Sequence, residues 1–384
     1  MALLEFTGFE HQKLEADGFG ISATPPSIST TTFYSGAAAL RFNAAGTGVT
    51  VLRNLSTPSI VVLQAMVRFA SFPAGDVWIV HVENDTQWVD FKYVAGSGLV
   101  IDAYDGVSNP QSSAWALSLN TWYRLGLLID ASTNPWSVKG RVDSSEKTLA
   151  PAFAATTFSR AYLGWYQSTT ADMFLDDLVL FTGSAADYPV TASQVLGYSP
   201  NATGIHLLDA SPSSFFFQHD GATGTALTTA ETTSYTRIDD VPISGSSDYL
   251  YITGTPGATQ YAEVQFANEA GNYNVTAVRV IEAVRQATAG GSAYTSKATD
   301  DHGTSLTTLQ SAFDPNSSTE VFKRATMTTK PSGGAWTKSS FADLRYRIGF
   351  TSDATPEIQL RSVIAEALLT TGSSAIHNQL LGIG

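Results

Sequence analysis

The sequence predicts an all-β protein built of two β-sandwich domains, and three observations lead to this fold class. Aromatic residues are frequent, with 20 Phe, 15 Tyr and 7 Trp, while only 14% of the residues are charged. Polarity comes instead from Ser, Thr, Asn, Gln and Gly, which favour strands and turns over helices. Short alternating stretches separated by turn residues recur along the chain, a pattern typical of antiparallel sheets.

The first half of the chain contains nine candidate strands. They are Ala38–Phe42, Ser59–Phe69, Val77–Val82, Trp88–Val94, Leu99–Tyr104, Trp122–Asp130, Trp136–Val142, Ala161–Tyr166 and Phe174–Phe181. Turn sequences such as Gly96-Ser97-Gly98 and Asn134-Pro135 separate them. Nine strands at this spacing bury more apolar surface as two stacked sheets than as one sheet.

The composition changes after Phe181, which predicts a second domain. Residues 184–205 are small, polar and Pro-containing, and we interpret them as a linker with one short strand, Gln194–Tyr198. We expect domains at 1–183 and 206–370 and a C-terminal tail at 371–384. The further candidate strands are Thr233–Val241, Asp248–Thr253, Ala262–Phe266, Val275–Arg285, Leu306–Gln310, Val321–Thr328, Leu344–Phe350 and Glu357–Ala367, and the alternating run Phe341–Arg347 also suits a strand.

The first half resembles the laminin-G-like, concanavalin-A-type jelly roll. Four segments carry the resemblance, in the same order and spacing: Phe6–Glu10, Ser35–Leu40, Asn120–Asp130 and Phe174–Leu180. The resemblance implies a jelly roll over residues 1–183. Together with the second β-rich block, this leads us to expect two β-sandwich (jelly-roll) domains in the chain.

Three other segments resemble proteins encoded among the head and tail genes of tailed bacteriophages and gene-transfer agents. These segments are Tyr188–His206, Gly333–Thr337 and Arg347–Ser352. In such proteins a laminin-G-like domain is often followed by a second sandwich. The resemblance implies a structural component of a virion, exposed on tail or capsid as a decoration, fibre or spike-associated protein.

Charge and composition exclude several functions. The net charge is −13 without a basic patch, so direct nucleic-acid binding is not expected. Cysteine is absent, which removes disulfides and zinc–thiolate sites. Residues 1–20 lack the basic and apolar regions of a signal peptide, and the apolar runs are shorter than a membrane span. We therefore expect no secretory route and no membrane contact, and a virion location reached by assembly in the host cytoplasm.

A structural calcium ion is one interpretation of the acidic residues. Jelly rolls of this type often tie their first and last strands together through a hard cation with oxygen ligands. Glu10 near the start and Asp176 or Asp177 in the closing strand are the candidate ligands. The alternative is that Asp177 is an ordinary carboxylate bonded to backbone N–H groups. No other cofactor is required by the sequence.

Catalysis is not expected. A glycosidase on a jelly roll would show two carboxylates at same-face spacing on one strand, and the first domain lacks it. Glu83-Asn84-Asp85 is predicted to be a solvated turn. The six His are scattered without metal-ligand spacing, and no nucleophile elbow occurs. A serine hydrolase with distant triad residues is not excluded by sequence.

Tryptophans are the best candidates for ligand binding. Trp115, Trp136 and Trp165 could stack on sugar rings, although core filling is the commoner fate of Trp in a sandwich. Trp88 and Trp122 alternate with apolar neighbours and are assigned to the core. Trp336 after Gly333-Gly334 is assigned to the packing of a turn.

Two functions follow from these observations. The first is a non-enzymatic virion protein that contacts other virion proteins and forms a homo-oligomer. The alternative is a carbohydrate-binding, lectin-like module that attaches to host glycans. The two roles are compatible in one molecule.

Overall fold

The structure is a computed structural model that describes residues 2–14, 20–21, 25–43, 51–164, 171–191, 194–198, 200–207, 215–219, 238, 249–254, 261–266, 273–288, 293–350 and 357–371. The chain divides into two compact units, Met1–Val195 and Leu196–Gly384. In both units nearly every described element is a β-strand, and the strands assemble into several sheets. The predicted all-β class with β-sandwich domains is confirmed.

Fourteen described strands belong to the first unit. They are β1 (Ala2–Thr7), β2 (Gly20–Ile21), β3 (Ser27–Ser29), β4 (Ala39–Phe42), β5 (Val51–Asn54), β6 (Ile60–Ser71), β7 (Val77–Glu83), β8 (Trp88–Val94), β9 (Gly98–Tyr104), β10 (Trp122–Asp130), β11 (Ser137–Val142), β12 (Ser145–Leu149), β13 (Arg160–Leu163) and β14 (Asp172–Thr182). A 3₁₀ turn follows at Ala185–Asp187.

The strands of the first unit form two antiparallel sheets. One runs β12-β11-β10-β6-β14-β4-β3, with β1 also paired to β14. The other runs β2-β5-β13-β7-β8-β9. Apolar side chains from both sheets, among them Leu63, Leu125, Val80 and Phe91, form one buried cluster. This cluster is the core of a sandwich, because each sheet turns one face inward.

The second unit contains one described helix and the remaining strands, the first of which, β15, spans the boundary between the units. The strands are β15 (Gln194–Tyr198), β16 (Pro200–Leu207), β17 (Phe215–His219), β18 (Leu250–Gly254), β19 (Ala262–Phe266), β20 (Tyr273–Gln286), β21 (Tyr294–Thr299), β22 (Thr307–Phe313), β23 (Val321–Met327), β24 (Arg345–Phe350) and β25 (Ile358–Thr371). One sheet runs β17-β18-β25-β20-β23, with β15 paired to β25, and the other runs β16-β19-β24-β21-β22. Val280, Tyr346 and Val363 belong to its buried core.

The predicted linker is largely structured. The boundary between the units falls at Val195–Leu196, inside the segment 184–205, and that segment contains the 3₁₀ turn, β15 and most of β16. Thr371 ends β25, so the predicted tail begins inside a strand, and 372–384 lie outside the described residues. The predicted strand Thr233–Val241 also lies outside them, except for Ile238.

The strand predicted to begin at Phe341 is wrong in its first residues. Lys338–Ala342 forms helix α1, and β24 begins only at Arg345. Thr337 caps the helix, because its hydroxyl accepts a hydrogen bond from the Ser340 amide while the Ser340 hydroxyl accepts one from the Thr337 amide. This reciprocal cap satisfies backbone N–H groups at the start of the helix that have no partner within the helix. The alternating pattern of the sequence does not reveal such a cap.

Across the described ranges, no helix has the length and apolar character that crossing a membrane requires.

Candidate functional site

The outward face of the second sheet of the first unit carries a cluster of aromatic and charged side chains. On β8, Val89, Phe91 and Tyr93 point into the core, so Trp88 and Asp90 lie on the opposite face. On β7, Val80 and Val82 are core residues, and His81 and Glu83 lie outward. The sequence produces this cluster through simple alternation on two neighbouring strands.

A register irregularity in β7 adds a third side chain of this strand to the outward face. Trp78 and His81 are three residues apart, a spacing that would place them on opposite faces of a regular strand. The pairing between β7 and β8 shifts between Trp78 and Val80, and the core therefore receives both Ile79 and Val80. An extra residue of this kind turns the following side chains over, and Trp78 joins His81 on the outward face.

Strand pairing arranges the cluster in two rows across the sheet. The first row is Arg160 on β13, Glu83 on β7, Trp88 on β8 and Tyr104 on β9. The second row is Tyr162, His81, Asp90 and Asp102 on the same four strands. Directly paired side chains on one face of a sheet lie close enough to interact.

His81 lies between two carboxylates. Its Nδ1 is 2.5 Å from Asp90 Oδ1, and its Nε2 is 3.3 Å from Glu83 Oε2. His81 is 8% exposed and Asp90 is fully buried. Both imidazole nitrogens face acceptors, and only the imidazolium form can donate from both.

The electrostatic surroundings favour that charged form. Burial lowers the pKa of His81, but Asp90 and Glu83 outweigh burial and raise it to about 9. Burial raises the pKa of Asp90 to about 6 despite the attraction of His81. The pKa of Glu83 is lowered, chiefly by its hydrogen bond with His81. At neutral pH the cluster therefore contains an imidazolium ion beside an ionised Glu83.

Aromatic rings surround this charged centre. The His81 ring stacks on Trp78 with 4.9 Å between centroids and 21° between planes. Tyr162 and Trp88 contact the same imidazole at 5.6 and 5.9 Å. Trp88 in turn stacks on Tyr104 at 4.0 Å. Stacked neighbours hold the rings in fixed orientations, because each ring restricts the rotamers of the next.

Together these side chains line a pocket of about 350 Å³, which we call the His81 pocket. The residues that line it are Trp78, His81, Glu83, Asp85, Trp88, Arg160, Tyr162 and Gly164. Arg160 Nη2 is 3.1 Å from Glu83 Oε1 and also contacts Asp85. The combination of apolar ring faces with a few polar groups is typical of small-ligand sites.

The turn between β7 and β8 places Asp85 at the rim of the pocket. Asn84 Oδ1 accepts hydrogen bonds from the amides of Thr86 and Gln87, which closes the turn. Asp85 adopts a φ of 77°, and 71% of its side chain is exposed. The predicted turn at Glu83–Asp85 is present, but only Asp85 is solvated, because Glu83 forms part of the pocket wall.

The tryptophans differ from their predicted roles. Trp136 is fully buried, and Trp115 is 6% exposed and donates through its indole to Ser145. Both therefore fill the core, which is the alternative to sugar stacking that the sequence leaves open for them. The prediction that Trp88 belongs to the core is wrong, because Trp88 lines the pocket. Trp122 is also outside the core cluster, half-buried and edge-on to Tyr34 at 5.8 Å.

The other two tryptophans with predicted roles are Trp336 and Trp165. Trp336 is buried as expected, and its indole donates to the Met327 carbonyl beside the turn at Gly333 and Gly334. Trp165 lies outside the described residues, although it directly follows Gly164 in the sequence.

The residues predicted to bind calcium converge on one loop. Glu10 Oε2 accepts a hydrogen bond from the Ala37 amide at 3.0 Å. Asp177 Oδ1 accepts from the Ser35 hydroxyl at 2.7 Å and from the Val195 amide at 2.8 Å. Asp176 Oδ2 accepts from the amides of Tyr34 and Ser35. The start of the unit and its closing strand therefore meet at residues 34–37.

A bulge in β14 brings Asp176 and Asp177 to the same loop. The register with β6 shifts between Asp176 and Val179, and Asp177 has a φ of 47°. Burial, together with the charge of Asp177, raises the pKa of Asp176 well above its usual range. Within the ranges that the structure describes, no group of three His, Cys, Asp or Glu side chains is placed to hold a metal ion.

Asp177 forms the contacts of a carboxylate held by hydrogen bonds, which is the alternative to a calcium ligand. Carboxylate oxygens are suitable calcium ligands, but the oxygens identified above already accept N–H and O–H donors. The calcium site at Glu10 and Asp177 stays a prediction.

The principal site residues are not predicted as a site by the sequence. His81 and Glu83 share a face because they are two residues apart, and Trp88 and Asp90 do so for the same reason. That spacing was the available signal. The combination of the two pairs depends on the β7–β8 register and on the irregularity after Trp78, which the sequence does not reveal.

Comparisons with known proteins give distant likenesses of fold. No protein-family model matches the chain, and no curated protein matches its sequence. A glycosyl hydrolase family protein from Mycobacterium fortuitum is 12% identical, with a TM-score of 0.33, over 47% of this chain and 100% of that one. The CBM22-1-CBM22-2 tandem domain of Xyn10C from Paenibacillus barcinonensis is 10% identical, with a TM-score of 0.28, over 95% of this chain and 98% of that one.

Trypanosoma rangeli sialidase in complex with sialic acid is 13% identical, with a TM-score of 0.31. The match covers 42% of this chain and spans only 28% of the sialidase. At such identities and TM-scores, what these proteins bind or hydrolyse does not bear on the present chain. The fold and the pocket define a β-sandwich protein with an aromatic, charged cavity on a sheet face.

Proposed function

We propose that this protein binds carbohydrate without turning it over, and that the His81 pocket holds the sugar. The observation that carries the proposal is the pair of half-buried indoles, Trp78 and Trp88, around the hydrogen-bonded centre His81. A pyranose ring offers an apolar C–H face and a rim of hydroxyl groups. The indoles would cover the apolar face, while Glu83 and Asp85 would accept hydrogen bonds from the hydroxyls.

The electrostatics support binding rather than hydrolysis. A glycosidase needs a carboxylic acid that stays protonated near neutral pH and a second carboxylate across the scissile bond. The pKa of Glu83 is lowered, which makes it a poor proton donor. Asp90 has a raised pKa but is fully buried behind His81. His81 faces carboxylates through both nitrogens and has no free lone pair to act as a base.

The test is a glycan panel followed by calorimetry with the intact protein. We expect the wild type to bind at least one oligosaccharide, and Trp78→Ala or Trp88→Ala to weaken binding about tenfold or more, because each removes an apolar contact surface. Trp122→Ala is the matched control, since Trp122 is half-buried on the other sheet of the same unit.

Equal affinity in the pocket variants and the control would show that the sugar, if bound, is held elsewhere. Hydrolysis of a bound oligosaccharide that is lost in Glu83→Gln would overturn the non-enzymatic part of the proposal.

A location in a phage-type virion stays a prediction from the resemblance of Tyr188–His206, Gly333–Thr337 and Arg347–Ser352. Host attachment through surface glycans would unite that location with the proposed binding. Mass spectrometry of purified particles tests it, with stoichiometric copies expected. The predicted C-terminal tail is apolar and carries little charge, so it would suit docking on another virion protein. Deletion of residues 372–384 tests this role and leaves β25, which ends at Thr371, intact; unchanged incorporation into particles would contradict it.

A further inference from the structure

We infer that the His81 pocket selects uncharged glycans and excludes acidic ones such as sialylated or uronate-containing chains. This inference rests on the proposed function and specifies its ligand class. It follows from the ionic contacts of the two cations that line the pocket, Arg160 and His81, and from the charge of the surrounding residues.

The Nη2 atom of the Arg160 guanidinium is already engaged by protein carboxylates. Proteins usually recognise a carboxylate through the planar fork of an arginine, which donates two parallel hydrogen bonds. In this pocket Arg160 Nη2 contacts both Glu83 and Asp85. Each pair of parallel N–H groups on a guanidinium includes Nη2, so a sugar carboxylate could form such a bidentate pair only by displacing one of these protein carboxylates.

The imidazolium of His81 is engaged as well. Asp90 lies 2.5 Å from Nδ1 and Glu83 lies 3.3 Å from Nε2, so neither nitrogen is left to donate to a ligand. Only the ring face of His81 remains, and Trp78 covers one side of it. His81 therefore shapes the pocket and does not provide a site for an anion.

The charge balance of the pocket is also unfavourable to an anion. Glu83 and Asp85 offset the charges of Arg160 and His81, and Asp90 lies directly behind the imidazole. The whole chain carries a net charge of −13. An acidic sugar would lose hydration on entry without gaining an unpaired cation, and that loss is costly.

The ring surfaces and the rim carboxylate of the pocket suit the hydroxyl groups of a neutral sugar. Trp78, Trp88 and Tyr162 present ring surface to the pocket, and the exposed carboxylate of Asp85 can accept hydrogen bonds. A neutral sugar needs acceptors for its hydroxyls and an apolar surface for its C–H face. The pocket therefore matches an uncharged pyranose better than an anionic one.

The experiment compares oligosaccharides that differ only in oxidation of the primary hydroxyl to a carboxylate. Calorimetry on the intact protein at neutral pH and physiological salt should give the neutral member at least about tenfold tighter binding. Asp85→Asn should reduce this preference several-fold, and Glu83→Gln with Asp85→Asn should reduce it further or reverse it, since both changes release Arg160. Glu146→Gln, an exposed carboxylate on β12, is the matched control and should leave the preference unchanged.

The outcomes separate this inference from the proposed function. Equal or tighter binding of the acidic member to the wild type, with loss in Trp78→Ala, would overturn the inference and leave carbohydrate binding standing. Absence of binding to both members would overturn both. Thermal unfolding shows whether the Glu83→Gln variant is folded, and Asp85→Asn alone still decides the question if it is not, because Asp85 is exposed.

Discussion

The imidazole of His81 stacks on the indole of Trp78, 4.9 Å apart and 21° from parallel, while its two nitrogens face Asp90 and Glu83. The Trp78 ring restrains the face of the His81 imidazole, and the two carboxylates restrain its edge. Deprotonation of His81 would remove one of its two N–H donors, so we expect the contacts that hold this side chain beside Trp78 to weaken as the pH rises.

Raising the pH from neutral to alkaline should lower the free energy of unfolding of the first unit. The pKa of His81 is raised from 6.5 to about 9 in the folded protein. The stabilisation by the imidazolium is thus complete below pH 6.5 and is lost as the pH rises through 9, by up to about 3 kcal/mol. Chemical denaturation at pH 7 and pH 9.5 measures the loss. His81→Gln should remove this slope, and an unchanged slope in that variant would assign it to another group.

Replacement of His81 alone should destabilise more than joint replacement with Asp90. His81→Gln leaves the fully buried Asp90 without its closest cation, and such a change costs about 3–5 kcal/mol. Asp90→Asn in the same chain removes the buried charge, so the double variant should recover much of that loss. A double-mutant cycle from urea titrations gives the coupling free energy. Purely additive effects would show that the 2.5 Å contact contributes little.

Glu282 should make the second unit less stable as the pH rises from acid to neutral. Burial raises its pKa from 4.5 to about 7, although hydrogen bonds from Tyr346, Tyr294 and Ser296 and the charge of Lys323 oppose this. The contribution of protonated Glu282 to the free energy of unfolding is fully present below pH 4.5. It is lost as the pH rises through 7, by up to about 3 kcal/mol. Urea titrations from pH 4.5 to 8 should show the slope. Glu282→Gln should flatten it, whereas Glu320→Gln, outside the core, should not.

A side chain at Gly36 should be destabilising because the buried Glu10 carboxylate would have to leave the Ala37 amide. Its φ is +66°, and a Cβ atom there would collide with the Glu10 carboxylate. Gly36→Ala should therefore cost more than the about 1–2 kcal/mol of a left-handed alanine. Gly183→Ala is the matched control, because Gly183 has a φ of +88° with open space around it. Thermal unfolding of the two variants separates steric cost from backbone cost, and equal losses would contradict the close approach of Glu10.

Calcium, if bound at Glu10 and Asp177, should stabilise the first unit by mass action. At a concentration a hundred times the dissociation constant the gain is about 2.7 kcal/mol. We expect the melting temperature to rise with added Ca²⁺, to fall with a chelator, and to lose this response in Asp177→Asn. Asp85→Asn, an exposed carboxylate, is the control. A melting temperature that does not change with saturating Ca²⁺ would contradict the calcium site. The hydrogen bonds of Glu10 and Asp177 would then be the contacts that join the first and last strands.

Much of the sheet structure could be predicted from the sequence, because each strand has its own alternation. Trp88–Val94, Trp122–Asp130 and Ala262–Phe266 are predicted with their observed bounds. The predicted strand at Phe341 failed because a local cap at Thr337 stabilises a short helix that competes with the alternating pattern.

The pocket could not be predicted, because alternation does not say which face is buried. On β8, both faces carry an aromatic residue, and the core receives Phe91 and Tyr93 while Trp88 faces outward. The contacts of His81 additionally depend on which strands are neighbours. Pairing of β7 with β8 and β13 is a property of the whole sheet, and it is not contained in any one segment.

The pairing of β1 with β14 also determines when the first unit can be completed during synthesis. Ala2 pairs with Thr182, so the first strand leaves the ribosome long before its partner is made. One edge of the long strand β6 likewise stays unpaired until β14 has been synthesised. Until then the nascent chain exposes unpaired, apolar strand edges, which are prone to association with other chains. Overproduction of this protein should therefore benefit from slow translation or from chaperones that shield nascent chains.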